Sequence, residues 1–387
     1  MKLIEKPELG RYMTFELSKE KPVHGWFWYK EGYAPEIVDY AIQDCKPAAI
    51  LDPFCGVGTT LLTAKEKAIE SVGVDASPLA VFVSRTKSDD YDAADLEGAL
   101  AFINKTTKTK PESASSGRSV VSLDWEFELF SPRAAFPKRN YNEILAIREA
   151  IEQEEGRPRD LLLLALLSIL PQASIIMKDG GVLKIDRNKR ALPAKEIFRR
   201  KVKRMVRELE GRPQGHSPSV FLGDARSLDI ESESVDAVIT SPPYLNNIDY
   251  SKIYGLELSL LHMSAAEAEE VRMRAVRSFI GRRMDVSDMP PEVGEIGTRI
   301  PIIGTYFKDM ELAMAEMARV LKDGGSAYIV VSNSVIHETH VMVDEILGQI
   351  GERIGFRDVE ILVGAERVAD VRPQKVRTRE SVVVLRK

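Results

Sequence analysis

The stretch Val235-Asp236-Ala237-Val238-Ile239-Thr240-Ser241-Pro242-Pro243-Tyr244 decides how this chain is read. Its first half is rich in Val, Ala and Ile and suits a buried strand. Pro242 and Pro243 cannot extend that strand, because proline donates no N–H to a ladder and fixes its own φ. The chain must leave the sheet at Ser241 in a stiff turn. That turn sets out a hydroxyl, carbonyl oxygens without competing N–H groups, and the ring of Tyr244. Such a set fits a flat ring bearing an exocyclic amine: the oxygens accept from the amine and the tyrosine stacks on the ring. The plainer alternative is a proline turn that merely ends a strand, so the rest of the chain has to decide.

The same layout occurs upstream. A short apolar strand at 48–51 runs into Asp52-Pro53-Phe54-Cys55-Gly56-Val57-Gly58-Thr59-Thr60 and then a helix. Glycines there let backbone N–H groups approach a ligand at a helix start. The next strand, 71–74, ends in Asp75-Ala76. An acid about 20 residues past such a loop is where a doubly wound sheet binds ribose hydroxyls; the alternative is that Asp75 caps the helix opening near Pro78. There is no GxxxxGK[ST], so the loop is not a nucleoside-triphosphate loop. The full GxGxxG is also missing, which disfavours a nicotinamide dinucleotide. An adenosine ligand without pyrophosphate fits better. A strand at 219–223 ends in Asp224-Ala225, where the acid can reach an adenine amine.

Composition is compatible with such a ligand site. The 387 residues, 44% hydrophobic and 29% charged, describe an ordinary soluble chain of one large domain with an insertion, or two domains. Cys45 and Cys55 are the only cysteines, and the five histidines lack metal spacing, so neither a disulfide framework nor a metal site is expected. The N-terminus has no signal-peptide core. The longest apolar run, 161–170, is far short of the roughly 20 residues of a membrane span and reads as a buried helix. These features suggest a cytoplasmic protein. The net charge is −5, but between Lys178 and Arg207 twelve Lys or Arg stand against three acids. That segment is +9, leaving −14 for the rest. One basic face on an acidic protein is compatible with phosphate binding. Lys184, Arg187, Arg199, Arg200 and Lys203 are its candidate contacts.

Residues 86–218 interrupt the strand–helix alternation with helical stretches at 92–104, 140–155, 159–170 and 194–210, and a Thr/Lys/Ser-rich loop at 105–118. Further on, 252–285 reads as helical and 286–304 as a long Pro- and Gly-rich connection. A helix at 306–321 should stop at Asp323-Gly324-Gly325 and lead into a strand at 327–331. A helix is expected at 338–353. Strands at 358–363 and 381–386 should pair antiparallel at the sheet edge, with Arg367 to Arg379 as a charged loop between them. Trp26-Phe27-Trp28-Tyr29 reads mainly as core, with one or two rings free to line a ligand pocket.

In order and each at a strand end, these pieces resemble amino-methyltransferases that use S-adenosylmethionine. Asp52 to Thr60 is similar to their cofactor loop. Thr240-Ser241-Pro242-Pro243-Tyr244 resembles the catalytic signature of the cytosine-N4 branch, with Ser where adenine-N6 enzymes carry Asp or Asn. Tyr33-Ala34-Pro35 and its helix look similar to the segment preceding the loop. The resemblance covers about 1–85 and 219–387, and implies a doubly wound, Rossmann-like α/β sheet with an antiparallel edge hairpin. It makes residues 86–218 an inserted, basic, helical substrate-recognition region. It implies S-adenosylmethionine held by Asp52, Pro53, Phe54, Gly56, Gly58, Thr59, Asp75, Ala76, Asp224, Ala225 and Tyr33. Ser241, Pro242, Pro243 and Tyr244 would act on the base, and Asn246, Asn247 and Asp249 would read its edge. The partner is nucleic acid whose target base is flipped out, with DNA favoured over structured RNA. Adenine-N6 transfer and a non-catalytic binding protein are the further readings; oligomeric state stays open.

Overall fold

The parallel strands of the main sheet that end in Asp52, Asp75, Thr240 and Ser332 leave these polar ends on one side. The computed structural model describes residues 1–108, 132–179, 182–212, 215–246, 248–261, 265–278, 287–371 and 374–387. Its strands are β1 (Lys2–Glu5), β2 (Ala49–Asp52), β3 (Glu70–Asp75), β4 (Ile176–Asp179), β5 (Val182–Ile185), β6 (Ser219–Leu222), β7 (Val235–Thr240), β8 (Leu321–Ser332), β9 (Ser334–Ile336), β10 (Thr339–Val341), β11 (Asp358–Val371) and β12 (Gln374–Arg386). Eight form the main sheet in the order β1-β11-β12-β8-β7-β2-β3-β6. Its pairings are parallel except those of β12. This is the mostly parallel Rossmann-like sheet that the sequence implies. From β2 the chain moves outward to β3 and β6, then crosses back to β7. The strand order therefore reverses between β2 and β7, and a crevice opens at their carboxyl ends.

Buried Val235, Ala237, Val238 and Ile239 make β7 a core strand, and Asp236 sets its register. The Asp236 carboxylate accepts from the N–H groups of Ala48 and Ala49 at 3.0 and 2.8 Å, and pairs with Lys322 at 2.8 Å. One side chain thus ties the starts of β2, β7 and β8 together.

Residues 86–218 share a core with residues 1–85. Leu161 to Leu167 of the helix Gly156–Ala173, and Phe198 and Val202 of the helix Ala194–Leu209, pack in one cluster with Trp26, Phe27, Val57 and Val83. Glu208 closes the join, accepting from Trp26 Nε1 at 2.7 Å and Val23 N at 2.8 Å. No helix among the described residues is long and apolar enough to cross a membrane.

Several elements differ from expectation. The hairpin β11–β12 is not the sheet edge: β1 pairs parallel outside it, a four-residue strand too short to read. The described residues between Arg367 and Arg379 are not a loop but ladder, because charged side chains can reach water from a two-stranded ribbon. Among the described residues, 252–285 hold only short helices: the end of Tyr250–Ile253, then Gly255–Leu260 and Ala265–Arg274. The expected long connection instead contains the helix Gly294–Arg299 and the start of the helix Pro301–Val320. Pro301 opens that helix at its first turn, where a missing N–H costs nothing. The expected helix at 338–353 starts only at Val343, after the β9–β10 hairpin whose tip places His337 and Glu338 at positive φ.

Candidate active site

The loop after β2 turns on Gly56 (φ +49°) and Gly58 (φ +80°) before the helix Thr59–Glu66. A Cβ on Gly58 would lie 2.4 Å from Ser84 Oγ, so only glycine lets the loop pack on the helix Pro78–Ser88. Asp75, at the end of β3, holds the loop from the other side. Its Oδ2 accepts from Gly56 N at 2.9 Å and its Oδ1 from Ser77 N at 2.8 Å. The helix cap is Ser77, which accepts from Ala80 N, so the capping alternative for Asp75 falls away. Burial pushes the Asp75 carboxyl up to about 6.

The cleft between these strand ends encloses about 1160 Å³, mouth included. Of the residues singled out in the sequence, Pro53, Phe54, Gly56, Asp75, Ala76, Asp224, Ala225, Ser241, Pro242, Pro243, Tyr244 and Asp249 line it. Asp52, Gly58, Thr59 and Tyr33 do not; they stand behind its wall. Asp52 is 1% exposed, and its Oδ1 accepts from Thr240 Oγ1 at 2.6 Å and Phe54 N at 3.1 Å. It therefore joins the cofactor-loop turn to the residue just before Ser241. Burial pushes its carboxyl up to about 6 as well. Tyr33 hydrogen-bonds Thr60 and reaches Asp52 Oδ2 at 3.4 Å.

At the turn, Ser241 Oγ donates to Val330 O at 3.1 Å, and Tyr244 lines the same part of the cleft. With its proton on Val330, the serine oxygen offers lone pairs. Asp224 accepts from Arg226 at 2.7 Å. Arg226 also bonds the buried Asp309 at 3.0 Å and the carbonyl of Arg274 at 3.2 Å. Arg277 grips Asp309 through Nε at 2.9 Å and a terminal nitrogen at 2.6 Å. This charged knot holds the segment 271–278 as the outer wall of the cleft.

Asn246 is exposed and outside the lining, its Oδ1 accepting from Ile248 N; Asn247 lies outside the described residues. Lys184 and Arg187 are exposed on and just after β5, which packs beside the helix Tyr250–Ile253 at the rim. Arg199, Arg200 and Lys203 are exposed but line no part of the cleft. Their helix ends near Glu66, paired with Arg212, at the far end of the helix Thr59–Glu66 from the glycine loop.

Among the lining residues not singled out as site residues are Tyr29, Glu31, Tyr250 and Tyr254. Tyr29 stacks on Tyr254 with centroids 4.9 Å apart, and Tyr254 donates to Glu31 at 2.6 Å. Lys178 Nζ lies 3.9 Å from the Tyr254 ring centre. The aromatic run 26–29 was visible in the sequence, but only burial sorts it. Trp26 and Phe27 are core, Trp28 is exposed, and Tyr29 faces the cleft.

The lining fits an adenosyl sulfonium. Asp75 is anchored through two N–H groups, with lone pairs left for ribose hydroxyls. Phe54, Ala76 and Ala225 offer apolar surface for a ring. Glu31, Asp75, Asp224 and Asp249 place acidic groups around a cationic ligand.

No family model matches the chain. Among curated proteins it is similar to the type II methyltransferase M.BsoBI of Geobacillus stearothermophilus, at 24% identity over 97% of this chain and 88% of that one. It is also similar to the type II methyltransferase M.AvaI of Nostoc sp., at 25% identity over 91% of this chain and 83% of that one. A shorter match, 30% identical over 33% of this chain and 24% of the relative, is to the type II methyltransferase M.MjaII of Methanocaldococcus jannaschii. Solved structures overlap loosely, among them a SAM-dependent methyltransferase of Methanosarcina mazei (TM-score 0.32, 10% identity, 90% of this chain and 96% of that one). The sheet, the cleft and the two relatives matched over nearly the whole chain define an S-adenosylmethionine-dependent methyltransferase. Within that class, its similarity over nearly the whole length is to type II methyltransferases.

Proposed function

We propose that this chain methylates the exocyclic N4 of cytosine in DNA. The observation that carries the reading is the Ser241 turn: a hydroxyl whose proton is committed to Val330 O, set in the cofactor cleft beside Tyr244. Cytosine N4 is a poor nucleophile, because its lone pair is delocalised into the ring. Ser241 Oγ accepts a hydrogen bond from one amine N–H and so helps localise that lone pair on nitrogen; the surplus amine proton leaves to water after the methyl group has been transferred. Tyr244 borders the same space and fixes the ring, so that positioning supplies much of the rate. Asp52, through Thr240, holds the turn at a set distance from the glycine loop. S-adenosylmethionine supplies a methyl group made transferable by the sulfonium charge. Gly56, Asp75 and Ala225 would hold it, and the acidic lining would favour its charge. A target base within a duplex must be extruded first, at a cost of a few kcal/mol.

DNA rather than RNA is proposed from the full-length similarity to type II methyltransferases. The test is methyl transfer from labelled S-adenosylmethionine to matched duplex DNA and total RNA. Label in DNA is the expected result. Label in RNA alone would overturn the polymer assignment, and label in neither, with cofactor bound, would overturn the catalytic reading.

A further inference from the structure

Resting on the DNA reading, we propose that the free end of the β11–β12 hairpin is an arm that enters a groove of the duplex, with Arg367 and Arg377 on its phosphates. The ladder between β12 and β8 ends at Glu380–Ser332, and that between β11 and β1 at Val363–Glu5. Beyond them the hairpin continues from Glu366–Arg379 to Val371–Gln374. These six pairs extend roughly 17 Å at 3.3–3.4 Å per residue. Among the described residues no strand pairs with either outer edge of this part. An isolated two-stranded ribbon is marginal in water by itself, so a partner is what would keep it in place.

Direction and charge say which partner. β11 runs parallel to β2, β3 and β7, so the ribbon leaves the sheet on the side where the cleft opens. Its root is beside the catalytic turn: the charges of Glu380 and Arg367 both act on the Tyr244 hydroxyl. From 366 to 379 the sequence holds five Lys or Arg against two acids. Arg377 is 79% exposed and pairs at 3.2 Å with Glu366, itself 61% exposed. A surface pair of this kind is weak and easily exchanged for a phosphate. Arg367 is half exposed and held by Glu380 at 2.8 Å. Val368, paired across the ladder with Arg377, is 61% exposed and gives the ribbon an apolar contact for a sugar or a thymine methyl. A two-stranded ribbon fits the roughly 12 Å wide major groove of B-form DNA, whereas A-form RNA closes that groove to side chains.

The test compares wild type with R377Q, R367Q/R377Q and R367K/R377K in binding to a duplex oligonucleotide over a salt series. S-adenosylmethionine titration and thermal melts serve as controls. R377Q leaves the Arg367–Glu380 pair intact and isolates the exposed arm. Each lost phosphate contact should lower the slope of log K against log salt by about 0.9. The slope should therefore fall by about one in R377Q and about two in the double variant. Duplex affinity should drop at least tenfold in the latter, cofactor affinity should stay unchanged, and the lysine pair should restore the slope. A double variant that keeps wild-type slope and affinity overturns the arm while leaving the DNA reading intact. Wild-type protein that binds no duplex overturns the DNA reading, and the arm with it.

Discussion

At the scale of single residues, the site works by committing protons and burying carboxylates. Ser241 has given its proton to Val330 O, so what it offers the cleft is acceptance. Ser241→Ala should lower kcat on the order of 10²-fold, the scale of one hydrogen bond to a developing charge. It should leave the cofactor dissociation constant unchanged, as single-turnover rates and titration would show. Equal loss in both would make the serine structural. Asp75, like Asp52, makes stability depend on pH. Its folded carboxyl lies near 6 against a usual 3.8, so between those values the native state holds a proton that the unfolded chain has released. Asp75 therefore weakens the fold progressively as pH rises from about 4 to 6, with no further change above. Asp75→Asn should remove this cost: the stability of the variant relative to wild type should rise across that window in urea melts at successive pH values. Cofactor affinity of the wild type should weaken as pH falls through about 6, because the acceptor of ribose hydroxyls becomes protonated. A flat affinity profile would take Asp75 out of ribose binding.

At the scale of elements, the legible parts were those with one strong local cause. The glycine loop, β7 and the proline turn could be read because apolar runs end abruptly at residues with fixed backbone preferences. Gly58 tests that reading. Its left-handed φ and the 2.4 Å approach to Ser84 predict that Gly58→Ala loses roughly 1–3 kcal/mol in urea unfolding. An unchanged midpoint would mean that the loop yields without strain. The illegible parts were set by tertiary neighbours. β1 exists because β11 offers it an edge, and Asp52 and Tyr33 were assigned to the ligand although burial turns them toward Thr240 and Thr60. A strand-end acid looks the same in sequence whether it faces the cleft, as Asp75 does, or the wall behind it, as Asp52 does. Glu31 and Tyr254 lie 223 positions apart, so no local pattern could bring them together. The described part of 367–379 was misread because charge without apolar alternation resembles a loop, although Arg367 and Arg377 reach water from its two faces.

At the scale of the whole molecule, the inserted region and the sheet are bound by one core. Trp26 sits at the join, under Glu208 and against the helices of the 86–218 segment. Fluorescence of the tryptophans and helical circular dichroism should therefore be lost in one transition on urea unfolding. Two separated transitions would show that the segment folds by itself. Charge is distributed on the same scale. The basic helix face of Arg199, Arg200 and Lys203 lines no part of the cleft, while the hairpin arm leaves the sheet on the side where the cleft opens. The central claim remains the base that receives the methyl group, since every role assigned to Ser241 and Tyr244 depends on it. It is tested most directly by digesting DNA methylated by the pure protein to nucleosides and weighing the products. The account predicts N4-methylcytosine; N6-methyladenine or a C5-methylated cytosine in its place would contradict it.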